Sequence, residues 1–304
     1  MANYIALGLF TGFLYSLVAL GYTLVYGVLR LINFAHSEVF MMGGFAGYFL
    51  LHAFVSYNKA PSGAASVFWI MLGLLVAAVA GAITAMLLER FAYRPLRRRN
   101  APPLTYLIAA IGASYFLFNL AGKEWGRYPT GLPQPYTNGT VATILGAQIT
   151  TYDLIVMVSS IVMLAFLDTF VRHTRMGRGI RAVAQDSDAA SLMGVNRDRT
   201  IAATFALGGL LGGAAGFLFA LNVGVSYTMG FKPALFAFTA AVLGGIGNVR
   251  GAMIGGLLLG VAETVPIYWL QQAWFEEPIA FGILVLILIF RPTGILGERL
   301  GRTA

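Results

Sequence analysis

Read as a pattern of apolar and polar positions, the chain falls into nine apolar stretches separated by short polar ones. They cover 4–28, 38–55, 67–88, 104–121, 154–171, 201–221, 235–247, 252–270 and 279–290. Several reach the ~20 residues that an α-helix needs to cross a bilayer. The pattern predicts an all-α fold, a polytopic transmembrane helical bundle of eight or nine membrane segments. The count depends on two of them. The seventh is short, with Gly244, Gly245 and Gly247 at its end, and reads as a half-span or re-entrant segment. The second reads as broken by Gly43, Gly44 and Gly47. The Gly-Gly stretches FMMGGFAG and AVLGGIGNVRG lie five crossings apart, so their segments would run in opposite directions, which suggests an inverted repeat with broken helices.

The longest charged stretch, 172–200, lies between the fifth and sixth apolar stretches and holds six arginines against three aspartates. Asp186 suits a helix N-cap, Asp188 the positive end of the helix dipole, and Gly194 a helix stop. Residues 187–193 between them make about two turns, too few to be stable alone in water. Leu192 and Met193 end that helix, and the small Ala189 and Ala190 permit close approach by another surface. Such a unit reads as a docking helix for a cytosolic partner, or as a short helix lying on the membrane surface or on the chain itself.

Charge placement orients the bundle. With the N-terminus outside and nine crossings, sixteen Lys and Arg residues fall inside and four (Lys59, Lys123, Arg127 and Lys232) outside. That asymmetry follows the positive-inside rule and puts the C-terminus in the cytoplasm. It also explains the net charge of +8 without nucleic acid. The long external loop, 122–153, is rich in Gly, Pro, Thr and Tyr and predicts an ordered, turn-rich cap or a docking surface rather than a helix.

Composition narrows the function. At 58% hydrophobic and 11% charged residues, with mean hydropathy +0.77, this is a membrane chain. No polar stretch is long enough for a soluble domain, so 1–304 reads as a single transmembrane domain. The N-terminus lacks a basic leader and cleavage site, so its apolar stretch reads as a retained span. There is no cysteine for thiol chemistry or disulfides. Gly122-Lys123 is followed by Glu124, so no phosphate loop is formed. His36, His52 and His173 are too scattered for a metal site, and Gly112-Ala113-Ser114 lacks the rest of a nucleophile elbow. No cofactor is expected, and an intramembrane enzyme is disfavoured.

Polar groups at membrane depth are therefore the candidates for a pathway or gate: Asn33, His36, Glu38 and Glu263, with the glycine break at Gly244 and Gly245. Asn119 and Asp168 also lie at depth. Buried structural hydrogen bonding competes with a pathway role at Glu263, and helix capping competes with it at Glu38. The small-residue rows Gly208, Gly209, Gly212, Gly213, Gly216 and Gly251, Gly255, Gly256, Gly260 read as close helix packing, within the chain or against a partner subunit.

Five stretches resemble one membrane family: LINFAHSEVFMMGGFAGY (31–48), FAYRPLRR (91–98), RMGRGIRAVAQDSDAASLMGVN (175–196), FTAAVLGGIGNVRGAMIGG (238–256) and RPTGILG (291–297). The family is the LIV-type permeases of branched-chain amino-acid ABC importers, and the resemblance is to the shorter of the two paired permease subunits. Ser37 departs from it, standing where the family has glycine. The resemblance implies a bacterial inner-membrane permease that pairs with a second homologous permease and two cytosolic ATPases. A periplasmic or surface-tethered binding protein would deliver substrate. ATP hydrolysis then resides on partner chains, and Asp186, Ala189, Ala190, Leu192, Met193 and Gly194 map to the segment coupling permease to ATPase. The alternatives are a permease for urea, short amides or other amino acids, and a stand-alone channel or ion-coupled carrier.

Overall fold

The computed structural model describes residues 1–297 except 32, 58, 59, 145 and 292. Lys59, Arg299 and Arg302, which entered the charge count, lie outside the described residues. The fold is an all-α polytopic bundle. In chain order it comprises α1 (Ala2–Leu29), α2 (His36–Phe54) and α3 (Ala64–Leu88), which runs through a π-helical turn (Glu89–Tyr93) into α4 (Arg94–Arg98). Then follow α5 (Pro103–Glu124), the strands β1 (Thr140–Ile144) and β2 (Ala147–Thr150), α6 (Thr151–His173), α7 (Arg175–Gln185) and α8 (Ser187–Leu192). The chain continues through α9 (Arg197–Val223), α10 (Phe231–Gly244), α11 (Val249–Leu270) and α12 (Glu276–Phe290).

Among the described residues six helices are long and apolar enough to cross a membrane: α1, α3 with its continuation through α4, α5, α6, α9 and α11. The eight or nine segments expected are reached only by adding α2, α10 and α12. These have 19, 14 and 15 residues. At 1.5 Å per residue α10 is about 21 Å long, short of the ~30 Å hydrocarbon core.

Polar residues punctuate the helices where their unpaired amides need acceptors. A capping box opens α6: the Asp153 amide donates to Thr150 Oγ1 (3.3 Å) while the Thr150 amide donates to Asp153 Oδ2 (2.9 Å). Asn196 caps α9, and Asn248 caps α11 by accepting from the Arg250 and Gly251 amides at 3.0 and 3.1 Å.

The core is organised by α9, which packs against α1, α2 and α3. Its glycine row makes this closeness possible. A Cβ at Gly213 would fall on the Ala77 carbonyl of α3, and one at Gly216 on the Phe40 carbonyl of α2. A matching seam joins α11 to α1, where Gly256 and Gly260 meet Ser16 and Gly8. Both rows therefore serve packing inside the chain, which gives dispersion contacts and satisfies the close-approach reading without a partner.

One expectation is corrected: α2 is one unbroken helix through Gly43, Gly44 and Gly47. These residues face Gly213, Met229 and Phe217, so tertiary contact offsets their poor helix propensity. AVLGGIGNVRG, by contrast, ends one helix and starts the next, so the two Gly-Gly motifs are not equivalent breaks. The external loop contains the antiparallel hairpin β1–β2, and Thr130 pairs with Val225 beyond the end of α9.

Contacts sort the helix ends into two opposite faces. On one lie Asn3 bonded to the Gln148 amide (3.0 Å), the Thr130–Val225 bridge and the Lys232–Glu276 ion pair (2.9 Å). On the other lie Arg97 with Asp198, Arg172 and Arg250 with Asp168, and the 186–194 unit. The second face carries Arg94, Arg97, Arg98, Arg172, Arg197 and Arg250 of the positive-inside count.

Candidate functional site

The 186–194 unit is built on the arginine-rich face. Asp186 Oδ1 accepts from the amides of Asp188 and Ala189, each at 2.9 Å. These two amides hold the Asp186 carboxyl below its ordinary pKa. Gly194 ends the unit with φ +84°, a left-handed conformation that glycine adopts without a side-chain clash. At the tip, Leu192 and Met193 are 90% and 85% exposed. Ala189 faces outward as expected, but Ala190 does not: it is 5% exposed and anchors α8 to the chain itself. Its carbonyl accepts from the Val195 amide at 3.0 Å, which fixes the turn into α9.

Sequence reasoning missed α7, which carries this tip. The signal was present: Met176, Ile180 and Val183 recur at helical spacing on its inward face, and Thr174 caps it. Because its cap is ionised, α8 should titrate. The folded Asp186 pKa lies below the unfolded value of about 4. Its stabilisation is therefore present above that value and is lost as pH falls through the folded pKa. Asp186→Ala should lower the exchange protection of the Asp188 and Ala189 amides at neutral pH, and wild type should lose the same protection, relative to the intrinsic rate, only in acid. Equal exchange in both at neutral pH would remove the cap from the account.

The same face holds a buried ionic network that sequence spacing could not reveal. Glu89, in the π-helical turn, accepts from Arg94 (2.8 Å) and Arg97 (3.0 Å). Arg97 Nε also donates to Asp198 (3.2 Å), 101 positions away in the first turn of α9. The cluster ties α4 to the first turn of α9, just after the 186–194 unit.

The pathway candidates do not converge on one site. Asn33, His36 and Glu38 sit together at the start of α2, but their polar groups go to different neighbours. Asn33 Oδ1 accepts from the Tyr93 hydroxyl (2.8 Å) and the Ala35 amide (3.1 Å). Glu38 Oε1 accepts from the hydroxyls of Ser114 on α5 (2.7 Å) and Ser37 (2.8 Å). The Ser37 hydroxyl thus has a partner that glycine would not supply, and it also reaches the Phe34 carbonyl at 2.9 Å. The His36 ring is buried against Tyr22 with centroids 4.8 Å apart, in a notch left by Gly21 and Gly212.

Gly244 and Gly245 close the end of α10. Gly244 abuts Gly251, and Gly245 has φ +108°. The C-terminal segment straps this turn, since the Ile295 and Leu296 amides donate to the Leu243 and Gly244 carbonyls at 2.9 and 3.0 Å. Glu263 lies apart from both groups, buried in α11, with its Oε1 accepting from the Tyr15 hydroxyl at 2.9 Å.

Comparisons with known proteins agree with this architecture. Residues 4–289 match the family described as branched-chain amino acid transport system, permease component. The high-affinity branched-chain amino acid transport system permease protein LivH of Salmonella typhimurium is 38% identical, covering 96% of this chain and 94% of its own. The corresponding protein BraD of Pseudomonas aeruginosa is 40% identical with the same coverage. The fructose import permease protein FrcC of Rhizobium meliloti is 34% identical, over 48% of this chain. No solved structure matches. With six membrane-length helices and a family match across nearly its whole length, the chain belongs to the permease components of branched-chain amino acid transport systems.

Proposed function

We propose that the chain is one permease subunit of an ATP-driven importer of branched-chain amino acids in the bacterial inner membrane. It forms the translocation path with a second homologous permease. Two cytosolic ATPases dock on the arginine-rich face, which places the N-terminus outside and the C-terminus in the cytoplasm. A substrate-binding protein docks on the opposite face.

The observation that carries this reading is the apolar pair Leu192 and Met193, presented to solvent on a capped helix anchored by buried Ala190. Two adjacent large apolar side chains left exposed beyond the membrane spans are the kind of surface that a docking partner would cover. Closing of the ATPases would press on 186–194 and move α9, into which the unit leads. A branched-chain amino acid is zwitterionic with no net charge, so its path needs apolar walls and local dipoles more than deep counter-charges. Asn33, His36, Glu38, Gly244, Gly245 and Glu263 are proposed to shape or border that path.

The reading is tested by purifying the tagged chain in mild detergent and identifying what accompanies it. A second permease and two ATPases should be recovered, and that assembly, reconstituted in liposomes with its binding protein, should import leucine only with ATP. A chain that emerges alone and moves solute without ATP would be a channel or carrier instead.

A further inference from the structure

The rod formed by α3 and α4 is longer than a bilayer is thick. From Ala64 to Arg98 it is one helical stretch of 35 residues, about 52 Å at 1.5 Å per residue. A bilayer is ~40–45 Å across with its headgroups, of which the hydrocarbon core takes ~30 Å. Arg90 lies about 39 Å along the rod from Ala64. The last turns of the rod therefore pass through the headgroup layer on the arginine-rich face.

One side of this rod is left uncovered by the chain. Every fourth residue, Val67, Met71, Leu75, Val79, Ile83 and Leu87, is an exposed apolar side chain. The row ends at Phe91, 76% exposed in the π-helical turn. Large apolar side chains without small or polar residues give another helix neither close approach nor hydrogen bonds, and lipid tails cover them equally well. The row is an acyl-chain surface.

Where that surface ends, cations gather. Arg90, Arg94, Arg97, Arg98 and Arg99 meet two carboxylates, Glu89 and Asp198, so three positive charges are unmatched. Glu89 takes Arg94 and Arg97, while Asp198 takes Arg97 and, at 3.4 Å, Arg98. Arg90 and Arg99 are exposed and have no acid partner among the described residues. Even the buried Arg97 keeps one nitrogen, Nη1, without an acceptor among those residues. The junction is short of acceptor oxygens, and it lies at headgroup depth beside an apolar surface.

We propose that the α3–α4 junction is a binding site for an anionic phospholipid. Arg90 takes the phosphodiester, because the paired N–H donors of a guanidinium match two phosphate oxygens. Arg98 and Arg99, two turns further out, add the positive field that holds a net negative headgroup. The acyl chains run along the row that ends at Leu87 and Phe91. A zwitterionic lipid brings its own ammonium to the same arginines and binds more weakly. The site needs only the membrane embedding of the chain and is independent of the cargo carried.

The test uses the purified chain, with the subunits that accompany it, in phosphatidylcholine nanodiscs. The probe is a trace of phosphatidylglycerol with a photoactivatable diazirine in its acyl chain near the glycerol. Labelling should map to peptides within 83–99. Unlabelled phosphatidylglycerol should compete, whereas added phosphatidylcholine and inorganic phosphate should not. Arg90→Gln combined with Arg99→Gln should lower labelling about tenfold, since each arginine at the surface strengthens binding of an anionic headgroup. Arg175→Gln combined with Arg178→Gln removes the same charge from exposed positions on α7 and should leave labelling unchanged. All four arginines are exposed and none forms an ion pair among the described residues, so both variants should reach wild-type levels in the membrane. Labelling spread evenly along α3, or reduced equally by the two double variants, would overturn the site. Displacement of the probe by inorganic phosphate would assign the arginines to a soluble anion. Labelling that appears only after the accompanying subunits are stripped away would assign them to a protein partner. Either result overturns the lipid assignment.

Discussion

Replacing Leu192 and Met193 together with aspartate should reduce ATP-driven uptake to below a tenth of wild type while the permease stays in the membrane at normal abundance. The two side chains are almost fully exposed, so the isolated subunit loses little when they change. In a docked complex each apolar side chain would contribute about 1.5–3 kcal/mol when buried. Aspartate removes that and adds a charge that must be desolvated, so loss of both contacts weakens docking by at least about a hundredfold. Co-purification of ATPases and uptake should fall together. Ala190→Arg is a different experiment, because Ala190 is buried and the substitution would unseat α8 itself. Normal uptake in the double aspartate variant would remove residues 186–194 from the coupling account.

The second large effect concerns the seam between α9 and its neighbours. Gly216→Leu should prevent accumulation of folded protein, and Gly216→Ala should already lower stability by about 1–3 kcal/mol, the usual range for overpacking. The reason is what an added Cβ meets: the Phe40 carbonyl, a backbone atom that cannot rotate aside. Gly212 is more forgiving, since its Cβ would lie 3.1 Å from the His36 ring. Gly112 supplies the control on α5, where a Cβ meets nothing within 4 Å. Gly112→Ala should be neutral or slightly stabilising, by about 0.5–1 kcal/mol. Thermal unfolding in detergent reads all of these. Equal midpoints for Gly216→Ala and Gly112→Ala would show that the seam tolerates expansion.

What the sequence made legible follows from the range of each signal. Apolar runs located the bundle because each helix reports itself over its own length. Asp186 and Gly194 gave the α8 unit to within one residue, since caps are local chemistry. The glycines of α2 misled because one residue type serves two ends: at Gly244 and Gly245 it breaks a helix, while at Gly43 it admits Gly213 from another. Only the partner helix distinguishes these. The same limit hid the Glu89–Arg97–Asp198 cluster and the orientation of Ala190.

The buried ionic cluster has a mechanical consequence. Arg97 clamps the first turn of α9 to α4, and α4 is continuous with the long rod of α3. In the coupling proposed above, a push on the α8 tip would meet α9 where Arg97 already fastens it to α4, so it would load both rods together rather than bend the chain at Asn196 alone.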